Sequence, residues 1–315
     1  MAFCCSGAVG YTGCMNSVIA EPLLTIRIDR ELLRFDHPDQ WRERPGWRER
    51  IKLSEHNLAS IVGGYHLGRD LWQHCGLCNT EHGRGYVVAT TEGLETQIGK
   101  DCGLKHLGAK FEELERQFTL ALESQDRMKR LRELLVQRGE LLSTAQQAMQ
   151  ECDRAAAAIA EFRHRIEREQ SLAVVFQKAI SSDGSVYIDW RVSDDEYEVT
   201  RRRYRRELVA RIDGHGAATM KSPKAAIQGT VLPLVHSLTD EMLSSLASKN
   251  LVAKSKEAND ATSILIDAKA YVALSKRFTS RRNWQGFASA FGPDRAKTND
   301  RGRRILQQLV ELGTE

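Results

Sequence analysis

The sequence predicts a mainly α-helical protein with a small α/β part towards its N-terminal end. Three observations predict it. Proline is scarce, at 6 in 315 residues. None falls between 107 and 170, where apolar residues recur at alternating spacings of three and four. Strand-like alternation is concentrated before residue 100, with one further run at 186–192. The expected order is a disordered 1–14, a small α/β lead-in over 15–71 and a metal module over 72–110. A long helix or helical hairpin follows over 111–170, then a mainly helical basic domain over 171–315.

The first fourteen residues carry Cys4, Cys5 and Cys14 and no charge, so they lack the basic start and solid apolar run of a secretory signal. Disorder, or a true start at Met15, accounts for them. Leu23 to Leu33 alternates loosely as a strand would, and Trp41 to Arg50 reads as a loop. Ser54 is placed to cap a short helix through Ile61, which Gly63-Gly64 would stop. Trp41, Trp47 and Trp72 read as core or interface aromatics.

Cys75-Gly-Leu-Cys78 and Cys102-Gly-Leu-Lys-His106 carry the clearest chemistry. Structural zinc takes four thiolate or imidazole ligands in a tetrahedron. Two cysteines separated by two residues bend around one ion through a tight turn, and Gly76 eases that turn through its backbone freedom. Cys102 and His106, spaced i and i+4, share one helix face. Between the pairs, Tyr86 to Thr91 is strand-prone, Glu92-Gly93 is a turn, and Leu94 to Ile98 returns. Gly99 breaks the strand, and Asp101 stands where a helix favours a carboxylate. His74 and His82 are near enough to replace His106; the spacing selects His106, and the other two read as surface histidines. A redox Cys-x-x-Cys would require a βαβ setting that the flanks do not supply.

Turn, hairpin and ligand-bearing helix in that order resemble a treble-clef zinc finger over residues 72–110. The resemblance implies a structural Zn2+ on Cys75, Cys78, Cys102 and His106. Treble clefs serve nucleic-acid binding, protein binding, scaffolding and some nucleases. No histidine lies between Gly83 and Lys105, which argues against the nuclease version. A closed four-ligand site also leaves no position for a reactive water.

From Leu107 to Gln170 the pattern is helical, and after Gly108 the only glycine is Gly139. Leu141, Ala145, Ala148, Cys152, Ala155, Ile159, Phe162 and Ile166 form a coiled-coil seam. Phe111, Leu114, Phe118 and Leu122 share an earlier face. Straight, such a helix reaches roughly 90 Å; broken at Gly139, it forms an antiparallel hairpin. Self-association or a protein partner through 111–170 is one expectation.

Beyond it, Leu172 to Ile180 is apolar, 182–184 is a turn, and 186–192 alternates as a strand. Ser193 with Glu196 gives a capping box. The following helix is expected to carry Tyr197, Tyr204, Leu208 and Ile212 on one side, with Arg201, Arg202, Arg203, Arg205 and Arg206 between them. Further helices are expected from Thr239 through Leu246, over Thr262–Phe278 and over Asp300–Leu312, with a turn at Gly292-Pro293. A second basic cluster runs from Lys276 and Arg277 through Arg281, Arg282, Arg295, Lys297, Arg301, Arg303 and Arg304. Arginine forks match phosphates, and Tyr204, Trp284 and Phe287 are interleaved for stacking on bases.

The formal net charge is only +4, with 28% charged and 41% hydrophobic residues, so clustering rather than total charge carries the argument. No run of 18 or more apolar residues occurs, which predicts no membrane span. An odd set of 7 cysteines, several with ligand spacing, suits a reducing, cytoplasmic compartment. Phosphate-loop, dinucleotide, nucleophile-elbow and His-Glu-x-x-His motifs are absent from the sequence. The expectation is a non-enzymatic, zinc-stabilised protein that binds DNA or RNA through Arg-rich helices. The alternative is a structural adaptor acting through its coiled coil.

Overall fold

A computed structural model describes residues 32–291 and 298–314. The expectations for 1–14, for a start at Met15, for a strand before residue 32 and for the turn at Gly292-Pro293 lie outside the described residues, as do Arg295 and Lys297. The chain divides into two compact units, Met1–Thr119 and Leu120–Glu315.

The first unit contains β1 (Leu33–Phe35), α1 (Asp39–Arg42), β2 (Leu58–His66), β3 (Gln73–His74), β4 (Glu81–His82), β5 (Arg84–Thr90) and β6 (Glu95–Gly99). The division falls inside the next element, α2 (Lys100–Val136). Strands β1-β2-β5-β6 form one sheet, with β1 parallel to β2 and the other pairs antiparallel. The expected hairpin is present: β5 and β6 are joined through Gly93, at φ 79°. The helix expected from Ser54 to Ile61 is not formed. Asn57 Oδ1 accepts the Ser54 N–H at 2.7 Å in a turn, and a strand begins at Leu58. Gly63 belongs to that strand, where a side chain would strike Phe35 and Leu33 of β1. Strand β2 pairs with β5, so the boundary expected at residue 72 instead crosses a single sheet.

Trp41 is fully buried with Phe35 and Tyr65, its ring stacked on Tyr65 at 4.8 Å. The loop after it closes the β6 edge: Arg48 N–H donates to Glu95 O, and Glu95 N–H to Gly46 O, both at 2.7 Å. This consumes backbone groups that an open edge would expose. Trp72 is 41% exposed.

Gly108, at φ 49° and ψ −139°, is the residue that bends α2. Gly139, the expected break, sits inside α3 (Arg138–Glu167). Helical hydrogen bonding continues past it, since Gln137 N–H donates to Glu133 O at 3.1 Å and Leu141 N–H to Gln137 O at 2.9 Å. The chain does not fold back there, because a glycine costs only about 1 kcal/mol inside a helix and does not force a turn.

The second unit continues with α4 (Gln170–Ile180), β7 (Ser185–Arg191), α5 (Asp194–Thr200), β8 (Tyr204–Arg211), α6 (Gly216–Thr219) and α7 (Lys224–Ala226). A π turn (Ile227–Val231) leads into α8 (Leu232–Ser237), α9 (Asp240–Ser244), α10 (Ser248–Phe278), α11 (Arg281–Ser289) and α12 (Asp300–Leu312). Ser193 Oγ accepts the Glu196 N–H at 3.2 Å, and Thr239 Oγ1 the Met242 N–H at 3.1 Å, so both predicted caps operate.

The predicted seam residues Ala145, Cys152, Ala155, Ile159, Phe162 and Ile166 are buried. They belong to a core to which α10 contributes Ala258, Ala261, Ala268, Tyr271 and Phe278. Small residues on both helices permit close approach, and Ser275 Oγ donates to Ala155 O at 3.4 Å. This part of the seam is covered by the chain itself. At one end of α3, Phe162 stacks on Trp284 at 4.8 Å, among Phe176, Phe278 and Phe287. Phe162→Ala is expected to cost about 3–5 kcal/mol, read from the urea midpoint at unchanged slope. A loss below about 1 kcal/mol would show that this aromatic cluster does not hold the core.

Candidate functional site

Strands β3 and β4 pair antiparallel, Gln73 with His82 and His74 with Glu81, and the turn between them carries Cys75 and Cys78. Cys75 N–H donates to Thr80 O and Asn79 N–H to Cys75 O, both at 2.9 Å, which closes a tight knuckle. The left-handed residue of this turn is Asn79, at φ 62°; asparagine tolerates that region better than most side chains. Gly76 serves close approach instead. Its N–H donates to Gln97 O at 2.8 Å, and an added Cβ would lie 3.1 Å from Gln97 O and 3.2 Å from Glu49 O. The knuckle is thereby docked on β6, an attachment that Gln97 Nε2 extends by donating to His74 O at 3.0 Å.

Strand β6 ends at Gly99 and α2 begins at Lys100 with no linker, so Cys102 occupies the first helical turn. The sulfurs of Cys75, Cys78 and Cys102 all lie within 4.8 Å of one another. Leu77 N–H points at Cys75 Sγ across 3.4 Å. Cys78 Sγ and Cys102 Sγ are 2.9 Å apart. The hydrogen bond from Cys102, with further ones from Thr80, pulls Cys78 down to about 7. Burial, then the hydrogen bond with Cys78, pushes Cys102 up to about 12. Adjacent thiolates repel one another, and a bound divalent ion would offset that repulsion. These three cysteines are close enough to hold a metal ion, and their donor chemistry is soft.

His106 is exposed and lies outside this cluster. The structure therefore brings together three of the four predicted ligands. His74 is also exposed, with Nδ1 on Asn79 O at 3.1 Å. His82 differs from the surface histidine expected: it is partly buried, stacks on Tyr65 at 5.8 Å, and holds its Nδ1 3.1 Å from the Tyr65 hydroxyl. Burial, then the neighbouring His74, lowers its pKa.

The Arg-rich segment is not a helix. Helix α5 ends at Thr200, Arg201 caps it in the left-handed region at φ 56°, and β8 pairs with β7. Backbone pairing explains the difference: β7 alone would leave a row of unpaired N–H and C=O groups, and β8 satisfies one edge. The cross-strand pairs Tyr187–Leu208, Asp189–Arg206 and Arg191–Tyr204 form an exposed face, while Val186 and Ile188 are buried. Arg206 lies 5.8 Å over the Tyr187 ring, and Arg203 5.9 Å over Tyr197. Exposed acids pair with Arg205 (Glu196, 3.7 Å), Arg206 (Asp189, 3.1 Å) and Arg211 (Asp183, 3.7 Å). Arg191, Arg211 and Tyr187 join this face only because the segment is a ribbon.

In the second cluster, Arg281, Arg282, Arg301, Arg303 and Arg304 are exposed. Arg303 pairs with Asp300 at 2.7 Å, and Arg281 Nε donates to Val310 O at 3.3 Å. Trp284 and Phe287 are fully buried, and Trp284 Nε1 donates to Phe278 O at 2.9 Å. Their expected role in base stacking is corrected: their ring faces are consumed by the core. Helix α11 packs on both β8 and α12.

Among the described residues, no helix is long and apolar enough to cross a membrane. Gly76→Ala is expected to destabilise the protein by about 1–3 kcal/mol, because the methyl would strike Thr96 Oγ1 and press on the Gln97 and Glu49 carbonyls. Gly68→Ala, with nothing within 4 Å, should change stability by no more than about 0.5 kcal/mol. Paired urea titrations measure both, and equal effects would remove the docking role of Gly76. No protein-family model, no curated protein and no solved structure matches the chain.

Proposed function

We propose that this is a non-enzymatic, zinc-stabilised nucleic-acid-binding protein. Cys75, Cys78 and Cys102 would hold a structural zinc ion in the first unit, and the basic surfaces of the second would meet phosphates. Zinc is favoured by a thiolate set in a small closed knuckle. The order of knuckle, hairpin and helix matches that of a treble clef. Clustered free thiols fit a reducing compartment such as the cytoplasm.

The observation that carries the nucleic-acid reading is that α11 packs against both β8 and α12. The two basic clusters, distant in sequence, thus stand on elements that are in contact through α11. Arginine forks there can track a phosphate backbone. Tyr204, 61% exposed, and Tyr187, 46% exposed, offer ring faces to unstacked bases. Exposed aromatics among arginines favour a single strand over a duplex, whose bases are already stacked.

Fluorescence anisotropy with labelled single-stranded and duplex DNA and RNA over a range of salt tests this. Wild-type affinity should fall steeply with salt. Replacing Arg201, Arg202 and Arg203 with Ala should flatten the log–log slope on single strands by about 0.7 for each phosphate left unneutralised, without changing the unfolding midpoint. Tyr204→Ala should cost about 1–3 kcal/mol per stacked base. Affinity that is flat with salt, or unchanged in the arginine variant, would overturn the assignment.

A further inference from the structure

Three sulfurs leave a tetrahedral ion one ligand short, and we infer that His82 Nε2 is the fourth ligand. The inference rests on the proposed metal centre and names a residue that helical spacing did not select. His82 lies on β4, the returning strand of the knuckle that carries Cys75 and Cys78. Its ring packs against Gly99, where an added Cβ would come within 3.0 Å of the ring carbon next to Nε2. Gly99 is the residue from which α2 departs towards Cys102. A histidine here stands between the two segments that supply the sulfurs.

The hydrogen bonding around the ring points the same way. Tyr65 Oη donates to Ile98 O at 3.3 Å, which leaves its oxygen to accept from His82 Nδ1–H at 3.1 Å. That arrangement places the proton on Nδ1 and the lone pair on Nε2, the state a metal requires. Outer partners that fix the far nitrogen are the usual support of a ligating histidine. His82 Nε2 is buried and has no hydrogen-bond partner, the sole histidine nitrogen so placed among the described residues. A buried polar atom without a partner is costly unless something binds it. His106 is exposed, and His74 Nδ1 is held by Asn79 O. In the structure His82 stands outside the 4.8 Å cluster of sulfurs, so ligation draws its ring inward.

The test measures metal content of the full chain and the absorption of its cobalt(II) form, with competition titrations for affinity. Wild type should hold one ion with the cobalt spectrum of three thiolates and one nitrogen. His82→Ala should weaken binding by more than Tyr65→Phe, for which about 10-fold or more is expected, and should lower the intensity of the d–d bands. His106→Ala and His74→Ala should match wild type. His82→Cys should restore tight binding with a spectrum of four thiolates, which decides the matter even where His82→Ala does not fold. Loss of the nitrogen signature in His106→Ala or His74→Ala, or a His82→Ala or His82→Cys protein with the wild-type spectrum, would overturn the assignment. A wild-type protein that takes up no zinc or cobalt would overturn the metal centre itself, with this ligand.

Discussion

The docking of the knuckle on β6 is the constraint on which the first unit's chemistry depends. Cys75 and Cys78 are local to each other by sequence, but Cys102 is not. It reaches them because Gly76 N–H binds Gln97 O at 2.8 Å and the chain turns from β6 into α2 without a spare residue. Backbone hydrogen bonding therefore sets the sulfur spacing before any ion arrives. A centre built in this way loses less conformational entropy on binding than one assembled from loose loops. The same preorganisation has an electrostatic cost. Cys78 and Cys102 stand sulfur to sulfur at 2.9 Å, and burial opposes the charge on Cys102.

Much of this was legible in the sequence. The cysteine spacing, the turn at Gly93 and the break at Gly99 were visible as local signals, and the knuckle, hairpin and helix follow in that order. The fourth ligand proposed above was harder to read. Spacing i, i+4 places His106 on the face of Cys102 only where that face is turned to the sulfurs, and here His106 is exposed. The burial of His82 depends on Tyr65 of β2 and Gly99 of β6, both long-range in sequence. The role of Gly76 was misread for a similar reason. Its value lies in the close approach of Thr96, Gln97 and Glu49 rather than in its own torsions.

In the second unit the helical seam was legible because its period extends over many turns, and both caps were visible as Ser193 and Thr239. What covered the seam was not. Alternating spacings of three and four describe equally a face turned to another chain and a face turned to α10. The small residues of α10 decide between them, since Ala258, Ala261 and Ala268 let the backbones approach. Trp284 failed as a base-stacking candidate on the same principle. An aromatic flanked by arginines looks exposed in a linear reading, yet residues two apart on a helix point to opposite sides. Arg282 faces water while Trp284 fills the core.

The Arg-rich segment shows where periodicity misleads and backbone accounting corrects it. Tyr197, Tyr204 and Leu208 fit a helical spacing, which predicts a helix carrying the arginines between them. A strand at 186–192 needs hydrogen-bonded partners, and the next segment is the nearest source of them. The change of element alters what the charges can do. On a helix the arginines would spread around the cylinder. On a ribbon, Arg191 and Arg206 share one face with Tyr187 and Tyr204. The acids that face them hold them only weakly, because exposed ion pairs are worth only about 0–1 kcal/mol. Arg205, Arg206 and Arg211 can exchange such a partner for a phosphate at little cost, whereas the buried Trp284 could not leave the core without losing its packing and its hydrogen bond to Phe278.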